Sequence, residues 1–135
     1  MEKNLREMIK LAQSKNIPVV LLGVPRPGLF LSSADVYQRI ADDADIVFTG
    51  EGRIDHQTAH GKTPMGVAKV AKQFNLPVIA LAGCVGDNYQ AVYQCGIDAV
   101  FPCVPRAMSL ADAMTEAETN VANLAENVAR LWTKK

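Results

Sequence analysis

The chain carries 135 residues, 49% apolar and 21% charged, with 14 Lys and Arg balanced by 14 Asp and Glu. A chain of that size buries roughly two-thirds of its unfolded surface, so residues 1–135 are expected to form a single domain without disulfide or metal. Zero net charge supplies no basic face for phosphate neutralisation, and no apolar run nears the roughly 20 residues that cross a bilayer. Neither nucleic acid nor membrane is an expected partner.

In chain order, Leu5, Met8, Ile9 and Ala12 stand at helical spacing. Pro18-Val-Val-Leu-Leu-Gly23 is a solid apolar run of the kind a sheet covers on both faces. Ser32 or Ser33 caps a second helix bearing Val36, Tyr37 and Ile40, and Asp45-Ile-Val-Phe-Thr49 reads as a second strand. A polar loop, Gly50 to Lys62, precedes a helix with Thr63 as N-cap and Pro64 at the first position. Its buried stripe is Val67, Val70, Ala71 and Phe74. Pro77 to Leu81 makes the third strand, broken by Gly83, and a short helix from Asp87 to Gln94 stops at Gly96. Asp98 to Phe101 is the fourth strand. Ser109 opens a last helix, along which Leu110, Ala113, Met114, Ala117, Val121, Leu124, Val128 and Leu131 keep helical spacing. Methionines and aromatics at such spacing are expected in the core, with Trp132 docking the last helix.

Asn16-Ile-Pro-Val-Val-Leu-Leu-Gly23 echoes Asn75-Leu-Pro-Val-Ile-Ala-Leu-Ala-Gly83, a likeness that any two βα units share. Strands alternating with helices imply a parallel sheet with right-handed crossovers and helices on both faces. The expected fold is therefore a three-layer α/β sandwich of flavodoxin-like or Rossmann-like type. Its four parallel strands are expected in the order 2-1-3-4.

In such sheets, sites form outside the carboxyl ends of the strands. Of the loops there, Gly50-Glu-Gly-Arg-Ile-Asp-His-Gln-Thr-Ala-His-Gly-Lys-Thr-Pro64 is the densest in ionisable groups. Backbone N–H groups at the following helix start, with Arg53 and Lys62, suggest a site for a small anion. Gly61-Lys62-Thr63 is not a phosphate loop, because His56 stands where the motif needs its first glycine. His56 and His60 read as solvated loop residues, Arg26 as part of a stiff turn, and Cys84 as a small buried residue just past a strand end. Cys84, Cys95 and Cys103 form an odd set with no C-x-x-C, and the start lacks a secretory pattern. Reduced thiols and a cytoplasmic location are expected.

From about Asp43 to Trp132 the chain resembles the C-terminal part of the bacterial glycerate kinases. The likeness rests on Asp45-Ile-Val-Phe-Thr-Gly-Glu-Gly-Arg-Ile-Asp55, Gln57-Thr58, Gly61-Lys-Thr-Pro64, Gly66-Val-Ala68 and Pro77-Val-Ile-Ala-Leu-Ala-Gly83. It implies ATP-dependent phosphoryl transfer to glycerate with Mg²⁺, in a cleft between two α/β domains. Carried over by position, Glu51 and Asp55 are the candidate catalytic residues, for Mg²⁺ or proton removal. Arg53 and Lys62 would stabilise charge, and Gly50, Gly52, Gln57, Thr58 and Thr63 complete the substrate- or phosphate-binding set.

Residues 3–42, through Asn4-Leu-Arg-Glu-Met-Ile-Lys-Leu-Ala12 and Ile17-Pro-Val-Val-Leu-Leu-Gly-Val-Pro-Arg-Pro-Gly-Leu-Phe-Leu31, resemble an internal piece of a GDSL-type esterase. That family's nucleophile block and its late Asp-x-x-His are absent, so esterase chemistry is excluded. The expectation is a chimera joined near residue 43, a scaffold without a complete active site and without cofactor. The alternatives are a glycerate kinase fragment using ATP and Mg²⁺, and an anion-binding module built on Gly50–Thr63. A sheet with open edges also suggests a homodimer, by edge pairing or segment exchange.

Overall fold

The computed structural model describes the backbone of residues 19–21 and the whole of residues 44–132. The expected helices around Leu5–Ala12 and after Ser33, and Arg26, lie outside the described residues. The strands are β1 (Val19–Leu21), β2 (Ile46–Ile54), β3 (Val78–Val85) and β4 (Ala99–Pro102). The helices are α1 (Thr63–Ala71), α2 (Leu110–Thr115) and α3 (Ala117–Trp132), with 3₁₀ turns at His56–Ala59, Lys72–Phe74 and Tyr89–Cys95. The architecture is an α/β fold on a parallel sheet. Three strands, β2 to β4, carry most of it, and the three residues of β1 pair along β2.

The strand order is β1-β2-β3-β4, not the expected 2-1-3-4. β2 is flanked on both sides, with Val20 opposite Val47 on one edge and Val47 opposite Val78 on the other. Its first four residues, Ile46 to Thr49, are all buried, as a central strand requires. An order without reversal sends successive right-handed crossovers to one face. Accordingly α1 and the Tyr89–Cys95 turn share a face, where Val67, Ala68, Ala71 and Val92 pack on Val47, Val78, Ala80 and Ala82. The other face is covered by α3: Val128, Leu124 and Trp132 pack with Ile46, Phe48, Ile79, Leu81 and Phe101.

Two strands outrun their apolar stretches. β2 was expected to stop at Thr49, yet parallel pairing continues through Gly50–Leu81, Glu51–Ala82, Arg53–Cys84 and Ile54–Val85. Ladder hydrogen bonds come from the backbone and do not need apolar side chains. Gly83 does not break β3, and Cys84 lies within the strand and is exposed, not buried. A Cβ at Gly83 would lie 2.5 Å from the Gly52 carbonyl oxygen, and one at Gly50 would lie 2.2 Å from that of Leu81. These glycines permit the close approach of the two strands.

Helix ends also depart from expectation. The residue flanking α1 is Lys62, which makes no side-chain cap, so Thr63 and Pro64 are already helical. The last helix is two. Ser109 caps α2, its Oγ accepting from the Asp112 N–H at 3.1 Å. The two helices are separated only at Glu116, which leaves helical dihedrals at φ −90° and ψ 2° and whose carboxylate takes both Arg106 Nη atoms at 2.8 and 3.0 Å. Leu110 and Met114 do not join the core stripe: they are 78% and 71% exposed, and Leu131 is 70% exposed.

At the end of the sheet opposite the charged loop, Asp98 acts as a staple. Its Oδ2 accepts from Lys72 Nζ at 2.5 Å and from the Val78 N–H at 2.6 Å, and its own N–H donates to the Val78 carbonyl at 2.8 Å.

Two glycine substitutions should therefore have opposite signs. Gly83→Ala forces the β2–β3 backbones apart and is expected to cost about 1–3 kcal/mol. Gly66→Ala, in α1 with nothing within 4 Å of its Cβ position, should stabilise by about 0.5–1 kcal/mol. Urea unfolding of the two variants checks both.

Candidate functional site

The carboxyl end of β2 and the turn behind it gather the charged residues. Glu51 lies on the strand itself, paired in register with Ala82 and half-buried. Asp55 follows the strand as the N-cap of the His56–Ala59 turn: its Oδ1 accepts from the Gln57 N–H at 2.9 Å. The other half of this capping box is Thr58, whose Oγ1 accepts from the Asp55 N–H at 3.2 Å. The same hydroxyl donates to Glu51 Oε1. One buried oxygen thus ties the two carboxylate-bearing residues together, through the side chain of one and the backbone of the other.

Each acid faces a base. Lys62 Nζ stands 3.7 Å from Glu51 Oε1, and Arg53 Nε stands 3.3 Å from Asp55 Oδ2. Desolvation raises the Asp55 carboxyl, but the Gln57 N–H together with Lys62, Arg53 and His56 outweighs it, so the group sits below its ordinary value of 3.8. Asp55 is an anion throughout the neutral range.

The structure brings Glu51, Arg53, Asp55, Thr58 and Lys62 into one cluster. Thr58 is 0% exposed, so it works from behind the carboxylates and does not face a ligand. Gly50 and Gly52 belong to the β2 backbone, and Gly50 has no room for a side chain. Gln57, His56, His60 and Thr63 are exposed around the rim. The expected backbone anion site at the start of α1 is reduced. Pro64 has no N–H, and the N–H groups of Met65 and Gly66 both turn back to the Lys62 carbonyl, at 2.9 and 3.4 Å. The positive charge beside the helix start is carried by the Lys62 and Arg53 side chains, each paired with a carboxylate.

Sequence reasoning missed one part of the cluster. Gly86 and Asp87, just past β3, clasp the turn: the Gly86 N–H donates to the Ile54 carbonyl at 2.8 Å, and the His56 N–H donates to that of Asp87 at 3.3 Å. The available signal was Asp55-x-x-Thr58, an N-cap spacing that marks a turn needing support.

Among the described residues no group of three or more His, Cys, Asp or Glu could enclose a metal ion. Mg²⁺ usually takes one or two carboxylates and completes its shell with waters and substrate phosphates. Glu51 and Asp55 fit that smaller requirement. Among the same residues no helix is long and apolar enough to cross a membrane.

Comparison with known proteins bears on this cluster. A family model described as the glycerate kinase family matches residues 23–133. The chain is 49% identical over 113 residues to glycerate kinase of Halalkalibacterium halodurans, covering 82% of this chain and 30% of that protein. It is 55% identical over 89 residues to glycerate kinase of Haemophilus influenzae, covering 66% of this chain and 24% of that one. Among solved structures, a candidate glycerate kinase 2 from Salmonella typhimurium LT2 aligns with a TM-score of 0.52 at 41% identity, over 73% of this chain and 23% of that chain. The chain thus spans under a third of the length of the curated relatives it matches. The family match takes in residues 23–42, which the sequence likened to an esterase. The comparisons give that likeness, and a chimera with it, no support. A helix, an apolar strand and a following loop are too general a pattern to separate two α/β families.

Two predictions follow from the Thr58–Asp55 geometry. Thr58→Val keeps the shape but strips the hydroxyl from both partners, and should cost about 1–3 kcal/mol, with Thr58→Ser restoring most of it; thermal melts of the three proteins check this. Asp55 has a folded value below its unfolded one. Its contribution is present above the unfolded value and is lost as pH falls through the folded one. Asp55→Asn should flatten the acid limb of stability as pH falls through and below the ordinary carboxylate value of 3.8, read by urea titration at each pH.

Proposed function

The chain belongs to the glycerate kinase family, and from that premise we propose that it supplies the carboxylate- and cation-bearing wall of a site for ATP-dependent phosphoryl transfer to glycerate. The observation that carries this reading is the double acid–base pairing at the end of β2, Lys62 with Glu51 and Arg53 with Asp55. Phosphoryl transfer leaves little covalent work to the protein; it depends on positioning and on placing charge against the moving phosphoryl group. Two acidic residues tied to one buried hydroxyl, each with a cation within 4 Å, suit that need.

The roles divide by chemistry. Asp55, held ionised by its surroundings, is suited to engage a metal or to orient an acceptor hydroxyl. Glu51 is the second carboxylate, and its orientation is set by Thr58. Mg²⁺, when bound, would neutralise phosphate charge. Lys62 and Arg53 then face phosphate or carboxylate oxygens. A bare anion meets two cations that are each already neutralised, so the cluster suits a metal–phosphate pair better than a free anion. This favours the kinase reading over an anion-binding module. The relatives favour it over a scaffold without catalysis.

The test is ADP release by the purified chain with ATP, Mg²⁺ and glycerate. The expected result is glycerate-dependent turnover that Asp55→Ala lowers by at least about a hundredfold. No turnover, with saturable nucleotide-dependent shifts of the Gly52 and Thr63 amides, would instead support a binding module. Neither turnover nor shifts would return the chain to the scaffold reading.

A further inference from the structure

Gly86 does not occupy the left-handed backbone region; among the described glycines only Gly61 and Gly96 do. Conformational freedom therefore does not explain a glycine at this position. Space does. A Cβ built on Gly86 would stand 2.8 Å from both Nε and Nη2 of Arg53 and 2.9 Å from Asp55 Cβ, inside the 3.0 Å that real Cβ atoms respect. The Arg53 guanidinium lies in the volume that a side chain at position 86 would fill, and that same guanidinium holds Asp55 at 3.3 Å. Meanwhile the Gly86 N–H fixes the backbone to Ile54 at 2.8 Å, so the residue cannot retreat.

We propose that Gly86 is a positioning residue of this site: its missing side chain is the berth in which the Arg53 guanidinium lies against Asp55, oriented for an anionic substrate group. This rests on the reading of Arg53 and Asp55 as functional groups and adds the residue that sets their geometry. The two neighbours of the berth differ in how they yield. Arg53 is a long side chain whose head is largely exposed, and it swings away at little cost to stability. Asp55 is fixed by the Gln57 N–H and by Thr58. A methyl group at position 86 therefore displaces Arg53 first, and the 2.9 Å approach to Asp55 Cβ adds a packing cost of its own.

Nitrogen-detected NMR on the full chain tests the proposal without relying on catalysis. At neutral pH the Arg53 Nε–H resonance of the wild-type protein is expected to stand apart from its position in Asp55→Asn, which lacks the ion pair. Gly86→Ala should carry it to the Asp55→Asn position. A resonance left at the wild-type position in Gly86→Ala overturns the proposal. Where Gly86→Ala fails to fold, the wild-type protein decides: Arg53 Nε–H exchange slower than in Asp55→Asn supports the berth, and equal exchange overturns it. Where turnover is measurable, Gly86→Ala should raise KM for the anionic substrate several-fold and change kcat less. Absent turnover in the wild-type chain, with the NMR result intact, the kinase reading falls and the positioning role stands.

Discussion

The β2 and β3 backbones lie in register from Val47–Val78 to Ile54–Val85, and every functional feature follows from how closely they approach. Gly50 meets the Leu81 carbonyl and Gly83 meets that of Gly52 with no space for a Cβ. This contact carries β2 beyond its apolar stretch and sets Glu51 and Arg53 on a strand, not in a loop. A loop would have to order its charges at an entropic cost of about 1–2 kcal/mol per residue. A strand already paired along one edge has met that cost in folding. The turn at Asp55 is then fixed by its own capping box and by the clasp of Gly86 and Asp87.

The charges so placed are balanced. Each cation has a carboxylate within 4 Å, and the helix start behind them spends two N–H groups on the Lys62 carbonyl. Such a cluster does not attract anions at a distance, since its field is that of two short dipoles. It discriminates at contact, by what can satisfy both signs at once. Thr58 gives this arrangement its rigidity, because one buried hydroxyl serves the Glu51 carboxylate and the Asp55 N–H together.

The sequence showed the fold's apolar parts and hid its polar ones. Ile46–Thr49, Val78–Leu81 and Ala99–Phe101 are legible because solid β-branched runs have few other uses. Strand order was not legible, since a parallel sheet accepts any such run at any position. The extension of β2 through Gly50-Glu-Gly-Arg was invisible for a related reason: those residues have poor strand propensity, and the partner's backbone supplies what they lack. The interruption at Glu116 was masked by helical spacing that runs unbroken on both sides of it. The charged cluster itself was readable from Glu51, Arg53, Asp55 and Lys62. The berth at Gly86 was not, for it is defined by an atom that is absent.

The Asp98 staple gives the molecule a division of labour. A single carboxylate oxygen takes the Lys72 ammonium and the first N–H of β3, so the foot of the sheet is locked by contacts that share no residue with the charged end. A chain built in this way can exchange rim residues such as Gln57, His60 or Thr63 without disturbing its foundation. Drift in what the rim recognises is thereby uncoupled from drift in whether the chain folds.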